Sequence, residues 1–380
     1  MEVSLAAASQ PAVLPPWWRV FSMVAYFIGL SAVIGGTMVY LLVLRPVLRT
    51  DIDATDRRTI RNRFARMLAW CGPLLLLTAY LQLAGRVARK VKGVSFEQSL
   101  VPHRIWSYLR APAEPGSWVS SGTEVLVQNA LFALAAAALL SLFFRGRPDA
   151  VAAAALTLTV AGSLVISVPT KWAGLTADAQ LDTWLTQAHI IGGCTWLGGL
   201  LALAALARAR PFGERAGLCW ARVWQRFSSV ALVAVGVVVA SGSWMTWRHV
   251  GAVDQLVSTT YGRFLLAKLF AVAALVAAGA YNQLVLTPRI AAAHARGDLG
   301  RGFVLTLRHF PAVVTVEAAV GLCVLLIVPF LTGSARAQAG YPAAPGFDGG
   351  VLALAMLLIA TLAASLYATY RVSLLRTRAA

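Results

Sequence analysis

The residues that could do chemistry sit where a membrane would make them costly. The stretch from Trp184 to Arg208, WLTQAHIIGGCTWLGGLLALAALAR, is apolar enough to cross a bilayer, yet it carries Gln187, His189 and Cys194. At helical spacing, His189, Gly193 and Trp196 fall on one face, four and three residues apart. The pairs Gly192-Gly193 and Gly198-Gly199 let a neighbouring backbone come close. An imidazole held in lipid is either a neutral ring bonded to a neighbouring helix, or a metal ligand or proton carrier. The residues around His189 favour the second.

Further candidates follow along the chain. SGSWMTWRHV places Met245 and His249 four residues apart, on one face of a continuing helix. A thioether beside an imidazole suits copper, Cu(I) above all. Trp244 and Trp247 in the same segment fit an interfacial aromatic belt. TTYGRFLLAKLF puts Lys268 about two turns into an apolar run, either snorkelling to the surface or serving as a counter-charge. RHFPAVVTVEAAVGLCVLLIVPF has His309 at its boundary and Glu317 roughly 12 Å further in by helix rise. Glu317 must face the bundle, paired or protonated. Asn282, in AYNQL, can hydrogen-bond near the end of the preceding span, and Cys323 reads as packing.

The elements that must position these residues are membrane helices. Of 380 residues, 59% are hydrophobic and 13% charged, and the mean hydropathy is +0.71. That composition excludes a soluble core and predicts an all-α, polytopic transmembrane helix bundle. About nine spans are expected, near residues 20–44, 64–85, 123–144, 150–168, 183–207, 227–247, 261–285, 310–332 and 350–370. The first is a retained span, because residues 1–16 lack a basic n-region and no AxA-type cleavage site follows. The formal charge of +18 resides in short basic runs between spans, so it marks topology and lipid contact, with no nucleic acid implied. Those runs place the N-terminus outside and the C-terminus in the cytoplasm. Loop 86–122 departs from the rule with RVARKVK and HRIWSYLRAP, which suggests an amphipathic surface helix. Four scattered cysteines without CxxC spacing predict no disulfide framework.

The chain also repeats. IGGTMVYLLVLR (Ile34 to Arg45) resembles LGGLLALAALAR (Leu197 to Arg208), and Gly36, Arg45 and Arg63 precede Gly199, Arg208 and Arg226 by a constant 163 residues. Two parallel four-span repeats are therefore expected, in residues 1–168 and 169–333, with a ninth span and cytoplasmic tail in 334–380. His189 corresponds to Tyr26 and Trp196 to Val33, so chemistry should concentrate in the second copy.

From about Trp184 to Thr332 the sequence resembles the copper resistance D (CopD/PcoD) family of bacterial inner-membrane proteins. The resemblance rests on AHIIGGCTWLGGLLAL, WQRFSSVALVAVGVVVASG, TTYGRFLLAKLFAVAALVAAGAYNQL and VTVEAAVGL, in that order. It implies uptake of copper ions across the inner membrane, alongside a CopC-type periplasmic copper-binding partner. It points to His189, Trp196, Gly198, Gly199, Tyr261, Lys268, Asn282 and Glu317. The expected metal ligands are His189, Cys194, Met245 and His249, with Lys268 and Glu317 for charge compensation or proton coupling. A non-transporting factor that delivers copper to a respiratory oxidase is the alternative. No Walker motif, GxGxxG fingerprint, HExxH or catalytic carboxylate pair is present, so no enzyme is expected.

Overall fold

The computed structural model describes residues 14–49, 54–144, 147–208, 216–286, 288–289, 296, 310–344, 346 and 349–379. Nine long helices dominate them: α1 (Trp17–Leu48), α2 (Ala54–Lys90), α3 (Ser121–Phe143), α4 (Pro148–Val165), α5 (Ala177–Arg208), α6 (Ala216–His249), α7 (Thr260–Leu286), α8 (Phe310–Ile327) and α9 (Gly349–Ala379). The first eight contain segments long and apolar enough to cross a bilayer, while the apolar stretch of α9 runs over Gly349–Ser365. The nine expected spans all coincide with helices, and the chain is an all-α polytopic bundle. His309, with Arg145, Arg210, Arg215, Arg301 and Arg308, lies outside the described residues.

Local chemistry explains where the helices begin and deform. Ser120 and Thr259 cap α3 and α7 by accepting the backbone N–H groups of Thr123 and Gly262. Pro148 opens α4, at the position where its missing N–H costs nothing. In α1 the backbone loosens to a π-type turn over Val39–Leu44, just ahead of Pro46. Proline cannot donate to the carbonyl four residues back. The carbonyl oxygen of Leu42 instead accepts from the Arg226 guanidinium on α6, at 3.4 Å. A second π-type turn, Asn282–Leu286, precedes Pro288 in α7.

The bundle is centred on the crossing of α1 and α5. A Cβ added at Gly35 would overlap the backbone of Gly198, and one at Gly198 would overlap the Ser31 carbonyl oxygen. Lipid offers no hydrophobic drive for helix association, so close backbone approach is what supplies the packing energy. Around this seam, α2 and α4 pack on α1, and α6 and α8 pack on α5. Leu30, Val33, Ile34, Phe64, Leu68, Leu75, Leu203 and Trp224 form the buried centre. Large apolar side chains such as Leu77, Val233 and Phe270 point outward instead, as lipid requires.

Polar residues inside the bundle are spent on joining helices. Gln187, singled out by its place in an apolar run, accepts from Ser163 Oγ at 2.8 Å and donates to Ser167 Oγ, tying α5 to α4. Asp149 accepts from Tyr40 Oη at 2.9 Å and pairs with Arg45 at 2.8 Å, closing α4 onto α1 at the opposite end. Within loop 86–122, Pro102–Leu109 is helical. Its Ile105 and Leu109 are buried against Leu83, Val87 and Val125, and Trp106 is exposed beneath the Arg110 guanidinium.

Candidate functional site

Helix α5 delivers His189 to α6. The His189 ring lies with Nδ1 3.2 Å from the Val238 carbonyl oxygen and 3.1 Å from Ser241 Oγ. A carbonyl can only accept, so Nδ1 carries the proton and the lone pair belongs to Nε2. His249, two turns beyond Ser241 on α6, repeats the arrangement: its Nδ1 donates to the Met245 carbonyl oxygen at 2.7 Å. Its ring stacks on Tyr261 of α7, 5.7 Å between centroids and 6° from parallel. Both imidazoles are therefore fixed by backbone carbonyls of one helix in the tautomer that offers Nε2 to an electrophile.

Ser241, Met245 and His249 recur every four residues, so they lie on one face of α6. This is the face that receives His189. The register of the two helices is locked at Asp182, two turns before His189, which accepts the Trp244 indole N–H at 2.6 Å and pairs with Arg248 at 2.9 Å. Trp244, expected as an interfacial belt residue, thus also fastens α6 to α5. A half-buried Met245 stands one turn above the point where His189 touches α6, with His249 another turn above it.

Cys194 does not join this set. It is buried on a different face of α5 and hydrogen-bonds towards Ser31 of α1, away from α6. Among the described residues no three His, Cys, Asp or Glu side chains converge, and none of the four cysteines forms a disulfide. Cys323 is exposed on the outside of α8.

Gly193 is one turn beyond His189 on the same face of α5, and a Cβ placed there would meet nothing within 4 Å. One turn further, Trp196 lines a cavity of about 270 Å³ bounded by α5, α6, α7 and α8, with Ser365 of α9 on its rim. Phe227, Val235, Leu275 and Val314 are among its apolar lining, and Asn282 and Glu317 supply polar groups. Glu317 is buried, and its Oε1 accepts from Asn282 Nδ2 at 2.8 Å. The cavity lies where α6 and α7, which meet at the His249–Tyr261 stack, are only sparsely in contact, whereas α2 and α3 pack closely.

Lys268, on α7, lies within electrostatic reach of His189. Among the described residues no carboxylate is within ion-pairing distance of it, so Lys268 and Glu317 are not partners. Gly198 and Gly199 serve packing: a side chain at Gly199 would meet the Phe227 ring. Sequence reasoning missed Ser241 and the opening at Gly193. The spacing of four along α6 was a usable signal for Ser241, but nothing in one chain announces a gap between two helices.

Comparison with known proteins finds a family match that takes in α6 to α8 and leaves His189 and the rest of α5 outside it. The model of the family described as Copper resistance protein D matches residues 221–331, which run from α6 to just past α8. The "Copper transport protein CutJ" of Bacillus subtilis (strain 168) is 28% identical over 150 residues. That alignment covers 39% of this chain, and the chain spans only 28% of the length of that relative. No solved structure matches.

Proposed function

We propose that the protein carries copper ions across the bacterial inner membrane, taking them from the periplasmic side through a relay on α6. The single observation behind this reading is the shared geometry of His249 and His189. Each ring is held through Nδ1, which leaves Nε2 as the nitrogen with the free lone pair, and Met245 comes one turn from each of Ser241, which His189 touches, and His249 along α6. Soft thioether and imidazole donors suit Cu(I), which is content with two or three ligands and moves by exchanging them one at a time. The resemblance of the α6–α8 region to a copper resistance family, and of 39% of the chain to a copper transport protein, supports the choice of ion.

In this reading copper enters at His249, passes Met245 and docks at His189. The Lys268 ammonium then pushes the departing cation away from the ring, through the opening at Gly193 and towards Glu317. Glu317 compensates the charge or exchanges its proton for the ion, and Asn282 orients its carboxylate. Cys194 is left to the α1–α5 contact. The basic segments set the N-terminus outside and the C-terminus in the cytoplasm. A CopC-type periplasmic protein is the proposed donor of the ion.

Three measurements in cells test this. A deletion strain complemented with the wild-type gene should accumulate more copper than the uncomplemented strain; equal copper in both would remove transport. Glu317→Gln keeps the shape and the Asn282 contact but deletes the charge. It should lower copper uptake at least ~10-fold while leaving the protein level unchanged, and unchanged uptake would remove the carboxylate from the path. Gly193→Leu should fold, because its side chain enters open space, and should block uptake while the purified protein still binds copper at His189. Uptake at the wild-type rate would place the path elsewhere. A delivery factor for a respiratory oxidase would instead show an oxidase defect with normal total copper.

A further inference from the structure

We infer that the N-terminal four helices contain a cation-excluding counterpart of the copper relay, in which Arg86 stands where the relay has His249. This rests on the relay proposed above and on the 163-residue repeat. That offset pairs Tyr26 with His189, Thr78 with Ser241, Gln82 with Met245 and Arg86 with His249. Each soft or nitrogen donor of the second copy has a harder or charged residue in the first.

The structure gathers the counterparts as the repeat requires. Thr78 hydrogen-bonds back to the carbonyls of Leu74 and Leu75, and Ser241 does so to Val237 and Val238, the same offset again. Gly35 and Gly198, also 163 apart, face each other at the central seam. Tyr26, Gln82 and Arg86 line one tight crevice between α1, α2 and α3, with Gln128 and Asn129. Gln128 Nε2 donates to Tyr26 Oη at 3.0 Å, fastening α3 over the position that corresponds to His189. Arg86 Nε and Gln82 Oε1 are buried in this cluster without hydrogen-bond partners, in a space too tight to admit a water molecule. Glu124 acts on Arg86 electrostatically from α3.

The two copies thus differ in both charge and closure. In the first, a guanidinium that never loses its proton occupies the entry position, and α2 packs directly on α3. In the second, His249 and Met245 stand at the entry, Arg248 there is paired with Asp182, the Lys268 ammonium acts only deeper, at His189, and α6 parts from α7 around the cavity below the His249–Tyr261 stack. A cation approaching from the loop side is repelled by one half and received by the other. Arg86 is the residue that sets this one-sidedness.

Copper content per chain of the detergent-purified, Cu(I)-loaded full-length protein tests the inference. The wild type should hold one equivalent. Tyr26→His/Gln82→Met/Arg86→His should hold two, and adding His189→Ala should bring it back to one. Tyr26→His/Gln82→Met with Arg86 retained should stay at one. A triple variant that keeps the His189 equivalent but gains none would overturn the equivalence of the two sites. A double variant that reaches two would overturn exclusion by Arg86. Tyr26→His/Arg86→His makes one fewer change in the core and is read by the same stoichiometries. A wild type holding none would instead remove the relay itself, a separate outcome.

Discussion

Gly198→Leu is expected to leave no folded protein in the membrane. The α carbon of Gly198 sits against α1 so closely that even a methyl group would occupy the position of the Ser31 carbonyl oxygen. Neither side can yield, because both are helix backbone and Gly35 faces the same point from α1. Leucine would have to part α1 from α5, and with them the Phe64, Leu68, Leu203 and Trp224 core that closes around the seam. A loss on the order of 4 kcal/mol or more follows, the range reached when core backbones are forced apart. Size-exclusion chromatography of detergent extracts should show aggregate in place of the wild-type peak. A monodisperse, thermally stable variant would show that the α1–α5 crossing is not the centre of the bundle. Gly193→Leu, five residues earlier on the same helix, is the control, since its space is open.

Much of this architecture is written in the chain. The apolar runs are long, most breaks between them are shorter than the runs, and proline and capping residues mark several ends, so hydropathy alone places the nine helices. Charge could not place the path, because what matters is which face each residue turns. Cys194 follows His189 by five residues, which carries it well round the helix from the ring. One side chain therefore meets α6 and the other meets α1. Gln187 looked as costly as His189 and proved to be a clasp to Ser163 and Ser167, a contact set by the placement of α4. Glu317 announced itself as a buried carboxylate. Its neighbour Asn282 was legible as polar, but their hydrogen bond depends on the packing of α7 against α8. The gap between α6 and α7 depends on helix arrangement, which one-dimensional patterning does not encode.

His189→Ala carries the second large effect. Removing the ring takes away the only imidazole that the relay places inside the bundle, and leaves Met245 and His249 as a shallow pair near the α6 terminus. Bound copper should fall from one equivalent to below a tenth at a Cu(I) activity that saturates the wild type, because one ligand of a two- or three-ligand site is worth far more than tenfold in affinity. The fold should survive. The ring holds α6 through one carbonyl contact, while Asp182 still accepts from Trp244 and pairs with Arg248. In the deletion strain, the variant should restore no copper accumulation.

The central claim is that a soft cation docks on His189 Nε2 within the bundle. The most direct test is copper per chain in detergent-purified protein after loading with Cu(I), wild type against His189→Ala at matched monodispersity. One equivalent in the wild type and almost none in the variant is the predicted result. Equal copper in the two proteins would contradict it.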